Sequence, residues 1–260
     1  MHIETVGQGP ALVLIHGWAL QGVVFAPLLA RLADSMRVYV VDLPGHGRSR
    51  DDATPLCLPE VVDAIAAATP PAVWCGWSLG GLFALQAAAT RPQVRGLAMI
   101  ASSPCFVRRA DWPHGVQAAL LAQLARDLAD DFPATVDRFL ALDLMHAVAG
   151  HDELRQPAAD GGPSILDRLR QGAPAARVLA QGRALLETTD LRGALPTLPT
   201  PSLWLAGRRD RLAPPAALHA AAALAPRAQA ITLEHGGHAP FLGQADEVAA
   251  GLKRFVADLG

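Results

Sequence analysis

Ala72-Val73-Trp74-Cys75-Gly76-Trp77-Ser78-Leu79-Gly80-Gly81-Leu82-Phe83-Ala84-Leu85 carries an apolar run into a G-x-S-x-G motif and out into an apolar helical pattern. A strand before such a motif and a helix after it put the serine on a sharp turn, its hydroxyl presented at the strand end. Gly76 and Gly80 flank Ser78 at two residues on either side and let the backbone close that turn. Alone, a five-residue pattern recurs by chance, and an inert serine in a glycine-rich turn is its bland reading. The flanking strand and helix favour a nucleophile at Ser78.

Outward from Ser78, strand and helix signals alternate. Residues 11–15, 37–42, 72–77, 96–101, 202–206 and 229–233 are short, nearly continuous apolar runs. Helical spacing appears at 25–33, 58–68, 79–90, 215–224 and 245–258. Strands of that kind are buried on both faces, and their alternation with helices predicts a doubly wound, mostly parallel α/β sheet.

Residues 108–188 break the rhythm. They hold helical patterns at 117–130, 134–145, 164–171 and 174–187, with a Gly/Pro-rich link at 156–163. The insert leaves directly from a strand end at Ala101-Ser102-Ser103-Pro104. It therefore predicts a helical cap over the carboxyl ends of the strands, where ligands bind in such folds. The expected organisation is a core in two parts, 1–107 and 189–260, with the cap at 108–188.

The bulk numbers exclude several classes. A chain of 260 residues, 51% apolar and 18% charged, is folded and long enough for one large core. A net charge of −2 gives no reason to expect nucleic acid or a membrane surface as a partner. Cys57, Cys75 and Cys105 are scattered without metal-ligand spacing and read as reduced thiols. Gly45-His46-Gly47-Arg48-Ser49 lacks the spacing of a dinucleotide fingerprint, and there is no Walker-type loop, so no metal or cofactor is expected. The start, Met1-His2-Ile3-Glu4, lacks the basic residues of a secretory signal, and no run reaches transmembrane length. A cytoplasmic monomer is the expectation.

A serine hydroxyl needs a base to take its proton and a carboxylate to orient that base. In folds with this motif the order along the chain is serine, carboxylate, histidine. Asp210 follows the apolar run 202–206 through Ala206-Gly207-Arg208-Arg209, which puts it on a strand-end loop facing the edge of Ser78. Its bland reading is a solvated aspartate between arginines; Asp190 is the weaker candidate, because it precedes a strand. Among nine histidines, His235 and His238 follow the run 229–233. His238, after a glycine pair and before an apolar turn, is preferred as the base, and His235 is the alternative. Two N–H donors are needed for the oxyanion. They are expected from Leu79, at a helix start, and from Trp18, in the turn Ile15-His16-Gly17-Trp18, where His16 holds the turn.

His16-Gly17-Trp18, Asp42-Leu43-Pro44-Gly45-His46-Gly47-Arg48-Ser49 and the Ser78 motif together resemble the α/β-hydrolase superfamily along the whole chain. Gly76-Trp77-Ser78-Leu79-Gly80-Gly81-Leu82, Ala101-Ser102-Ser103-Pro104-Cys105-Phe106, Arg138-Phe139-Leu140-Ala141-Leu142 and Thr189-Asp190-Leu191-Arg192 narrow it. They resemble the pimeloyl-[acyl-carrier protein] methyl ester esterases, the carboxylesterase family of biotin synthesis. The resemblance implies Ser78, Asp210 and His238 as the triad. It implies an acyl site lined by Trp18, Ser78, Leu79, His238 and the run Phe139, Leu140, Ala141, Leu142, Asp143. It also implies an acyl carrier protein as partner, held by cap arginines at Arg138 and Arg155, with Ala134 standing where the family has a further arginine. Two rival expectations stay open: a broad small-ester hydrolase or lactonase of the same fold, and a non-catalytic ligand-binding relative.

Overall fold

The computed structural model describes residues 1–144, 148–157 and 161–259. Seven strands, β1 (His2–Val6), β2 (Ala11–Ile15), β3 (Arg37–Asp42), β4 (Ala72–Trp77), β5 (Val94–Ile100), β6 (Ser202–Gly207) and β7 (Ala228–Leu233), form one sheet. Their order is β1-β3-β2-β4-β5-β6-β7, with every neighbouring pair parallel except β1, which runs antiparallel to β3. The central strand β4 is buried at every position, as the unbroken apolar run 72–77 requires of a strand covered on both faces.

Flanking the first half of the sheet are α1 (Ala26–Leu32), α2 (Leu58–Ala68) and α3 (Leu79–Thr90). Among the described residues, five helices then lie between β5 and β6: α4 (Ala118–Asp130), α5 (Phe132–Leu144), α6 (Val148–Arg155), α7 (Ile165–Gln171) and α8 (Ala176–Thr188). The chain closes with α9 (Pro215–Ala222), α10 (Pro240–Gly243) and α11 (Ala245–Ala257). Met145, at the end of one expected helix, and residues 158–160 of the expected Gly/Pro link lie outside the described residues. Among the described residues no helix is long and apolar enough to cross a membrane.

Three elements have no counterpart in the sequence reading, the shortest being α10, where an apolar turn is expected. The edge strand β1 is half-exposed and mixes polar with apolar residues, so it lacks the continuous apolar signature of its buried neighbours. Helix α6, with the sequence VAGHDELR, has no apolar stripe to announce it.

The fold concentrates strain where β2, β4 and β5 end. Among the described residues, the non-glycine positions with positive φ are Ala19 (66°), Ser78 (52°) and Ala101 (45°). Ser78 and Ala101 directly follow the last residues of β4 and β5, and Ala19 closes the turn after β2. Each such conformation costs about 1–3 kcal/mol and persists only where its surroundings enforce it, which makes this edge the candidate working face.

Candidate active site

Ser78 sits at φ 52°, ψ −123° between β4 and α3. Glycine makes this turn possible: a Cβ on Gly76 would fall on the Gly80 carbonyl, and one on Gly80 would fall on that of Ile15. The strained residue is fully bonded. Its N–H donates to the Ile100 carbonyl at 3.0 Å, and its own carbonyl accepts from Ser102 Oγ at 2.7 Å.

The His238 ring bridges two partners. Its Nε2 lies 2.8 Å from Ser78 Oγ and its Nδ1 lies 2.8 Å from Asp210 Oδ2. The ionised carboxylate only accepts, so the ring proton is on Nδ1 and Nε2 is free to accept the serine proton. Asp210 Oδ1 is held in turn by the N–H groups of Leu212 and Ala213 at 2.7 and 2.9 Å. Burial pulls the His238 pKa down, but the charge and hydrogen bond of Asp210, with the charge of Asp143, raise it above the ordinary histidine value. The alternatives lie elsewhere: His235 is exposed, and Asp190 is ion-paired with Arg192 at 2.6 Å.

Opposite the serine is the turn after β2. A Cβ on Gly17 would lie 3.1 Å from the Ser78 Cβ, which shows how closely this turn approaches the serine. His16 is wholly buried, and its Nε2 accepts the Leu43 N–H at 3.0 Å. Its proton is therefore on Nδ1, which donates to the Gly17 carbonyl at 2.8 Å. That carbonyl shares a trans peptide with the Trp18 N–H, so fixing one end of the unit aims the other in the opposite direction. Burial lowers the His16 pKa and keeps the ring neutral for this task. Leu79, the first residue of α3, has an N–H that the helix itself leaves unpaired.

An apolar cavity opens from Ser78 and His238 under the helices between β5 and β6. Trp18, Trp77, Phe106, Leu121, Leu128, Val136, Phe139 and Leu186 are among its walls. Trp18 ties the turn after β2 to the helices between β5 and β6, because its indole Nε1–H donates to the Leu179 carbonyl of α8 at 3.0 Å. Thr135 also lines the cavity, but its hydroxyl is occupied: it donates to the Asp127 carbonyl and accepts from Arg138.

Of the run expected to line the acyl site, Phe139 is a wall of this cavity and Leu140 is buried against the core. Ala141 is exposed and Leu142 is 68% exposed, because the helical repeat turns them away from the face that carries residues 139 and 143. Asp143 is buried, and its Oδ1 accepts the Ala239 N–H at 2.7 Å. Burial pushes its carboxyl up to about 7. Arg138 and Arg155 are exposed, and neither is ion-paired among the described residues. Two supports of the histidine have no signal in the sequence: this Asp143 contact, and the Trp77 Nε1–H that donates to the His238 carbonyl at 2.6 Å.

The model of the alpha/beta hydrolase family matches residues 12–251. Across all 260 residues the chain is 65% identical to the pimeloyl-[acyl-carrier protein] methyl ester esterase of Stenotrophomonas maltophilia, covering 97% of that protein. It is 60% identical to the protein of the same name from Xanthomonas oryzae pv. oryzae, with both chains covered completely. Among solved structures, an esterase from Exiguobacterium antarcticum superposes with a TM-score of 0.80 at 21% identity, over 98% of this chain and 95% of that one. An enol-lactonase from Burkholderia xenovorans LB400 gives 0.77 at 20% identity, over 98% and 96%. At these identities the two structures speak for the fold alone. With a family match spanning nearly its whole length and relatives above half identity from end to end, the chain belongs to the alpha/beta hydrolase family.

Proposed function

We propose that this chain is a serine carboxylesterase that hydrolyses the methyl ester of pimeloyl-[acyl-carrier protein] to the free carboxylate and methanol, a step of biotin synthesis. The observation that carries the reading is the continuous chain from Ser78 Oγ through the His238 ring to Asp210, with 2.8 Å at each link. Full-length relatives bearing that name support the substrate.

Ser78 Oγ attacks the ester carbonyl carbon while His238 Nε2 takes its proton. The Trp18 and Leu79 N–H groups hold the oxyanion, with the helix dipole of α3 adding to the second donor. The tetrahedral species collapses, His238 protonates the methoxy oxygen, and methanol leaves. Water, deprotonated by the same histidine, then attacks the acyl-enzyme, and Ser78 is released with its proton restored. No cofactor enters these steps.

Residues 108–188 act as the cap in this reading. The apolar cavity suits the methylenes of the acyl chain, each worth about 0.8 kcal/mol when buried. Exposed Arg138 and Arg155 offer charge to the acidic carrier.

The test is complementation of a biotin-auxotrophic strain lacking its own methyl ester esterase. Growth with the wild-type chain and none with Ser78→Ala supports the reading. Failure of the well-expressed wild type to restore growth, with p-nitrophenyl esters still cleaved, leaves a small-ester hydrolase. Hydrolysis that survives in Ser78→Ala removes the nucleophile.

A further inference from the structure

Asp143 occupies a place where an apolar side chain is expected. Along α5 the buried positions are Phe132, Thr135, Val136, Leu140, Asp143 and Leu144, a stripe at helical spacing that faces the core. A carboxylate in such a stripe is costly unless its oxygens are paired. Its partner is a main-chain donor of the histidine loop, the Ala239 N–H at 2.7 Å. The approach is close enough that a Cβ on Gly237 would collide with Asp143 Oδ1. The glycine just before His238 thus serves the cap helix as well as the loop.

The peptide that joins His238 to Ala239 is consequently held at both ends. Trp77 donates to its carbonyl, and Asp143 accepts from its N–H. The described charges acting on Asp143 are His238 and Asp210, and α10, which packs on α5, carries no titratable residue. The charged side chains described on the other helices against α5 are not buried. They are Arg126, Asp127 and Asp130 on α4, Asp152, Glu153 and Arg155 on α6, and Asp167, Arg168 and Arg170 on α7.

We propose that Asp143 is a positioning residue, which anchors the backbone at His238 from the cap and so couples the seating of α5 to the alignment of the base. The inference rests on the esterase reading above. It differs from a role in contacting the acyl chain, since the carboxylate is spent on a backbone donor and a charged oxygen gains nothing against methylenes.

The experiment compares wild type, Asp143→Asn and Asp143→Leu on p-nitrophenyl acetate and p-nitrophenyl hexanoate, with thermal melts to check folding. Asp143→Leu is expected to lower kcat about tenfold on both esters, the effect of losing one buried hydrogen bond, with KM changed less than about twofold. Asp143→Asn keeps an acceptor and recovers most of kcat. It also moves the acid limb of kcat/KM to lower pH, because a negative charge beside His238 is gone. A rise in KM confined to hexanoate, with kcat on acetate unchanged, overturns the proposal in favour of an acyl contact. Wild-type kinetics and an unmoved acid limb in Asp143→Asn overturn it too, and decide the matter if Asp143→Leu does not fold. Activity surviving in Ser78→Ala strikes the esterase reading instead, whatever the Asp143 variants do.

Discussion

The indole Nε1–H of Trp77 donates to the backbone carbonyl of His238 at 2.6 Å, across 161 residues of chain. The residue before the candidate nucleophile thus holds the main chain of the candidate base. The same indole packs against Phe25, Phe139, Phe241 and the His238 ring, with centroids 5.2 to 6.3 Å away. Replacing Trp77 by Phe keeps much of the aromatic packing and leaves the carbonyl without its donor. A buried acceptor left unpaired costs about 1–3 kcal/mol. Trp77→Phe is expected to lower both the melting temperature and kcat, the latter about tenfold on p-nitrophenyl acetate. An unchanged kcat would mean that the loop keeps His238 in place without the indole.

The His238–Asp210 pair sets the pH dependence. Because the His238 pKa is raised above its ordinary 6.5, the free base is lost as pH falls through a value higher than that. The kcat/KM profile should therefore rise with pH through a limb above 6.5. In Asp210→Asn the charge that raises the histidine is absent, so the limb moves down and kcat falls by roughly 10⁴. A limb that stays put in this variant would assign the titration to another group.

His16 acts on the candidate oxyanion turn through one peptide. With Nδ1–H on the Gly17 carbonyl and Nε2 on the Leu43 N–H, its ring leaves the Gly17–Trp18 unit a single orientation. Loss of one well-aimed oxyanion donor costs about 10²–10³ in kcat. His16→Ala should approach the lower figure on p-nitrophenyl acetate, with a smaller change in KM. A folded variant with wild-type kcat would show that the Trp18 N–H is aimed without the ring.

Asp143 also leaves a mark on stability. Its carboxyl is raised to about 7 from 3.8, so the folded state holds the proton more tightly than the unfolded state. By linkage, the stability tied to the protonated form is complete below about pH 4 and is lost as pH rises through about 7. The melting temperature of Asp143→Asn relative to wild type should therefore climb across that window and level off beyond it. A difference independent of pH would place the Asp143 pKa near its ordinary value.

The candidate site was partly legible in one dimension. Ser78 is marked by the glycines around it, and Asp210 and His238 by their order after apolar runs, because strand ends and tight turns leave local signatures. Mostly parallel pairing was legible as well, since strands covered on both faces are continuously apolar. The edge strand β1 left no such trace, being half-exposed, and neither did α6, which has no stripe.

By itself, then, the sequence determined which residues stand at the strand ends and in what order they arrive. Only the tertiary structure decided how they are held. The bonds from Trp77 to His238 and from Asp143 to Ala239 span 161 and 96 residues, and no local propensity encodes a partner at that distance. Such contacts arise from packing β4, α5 and the histidine loop into one space, where a buried donor or acceptor left without a mate is costly.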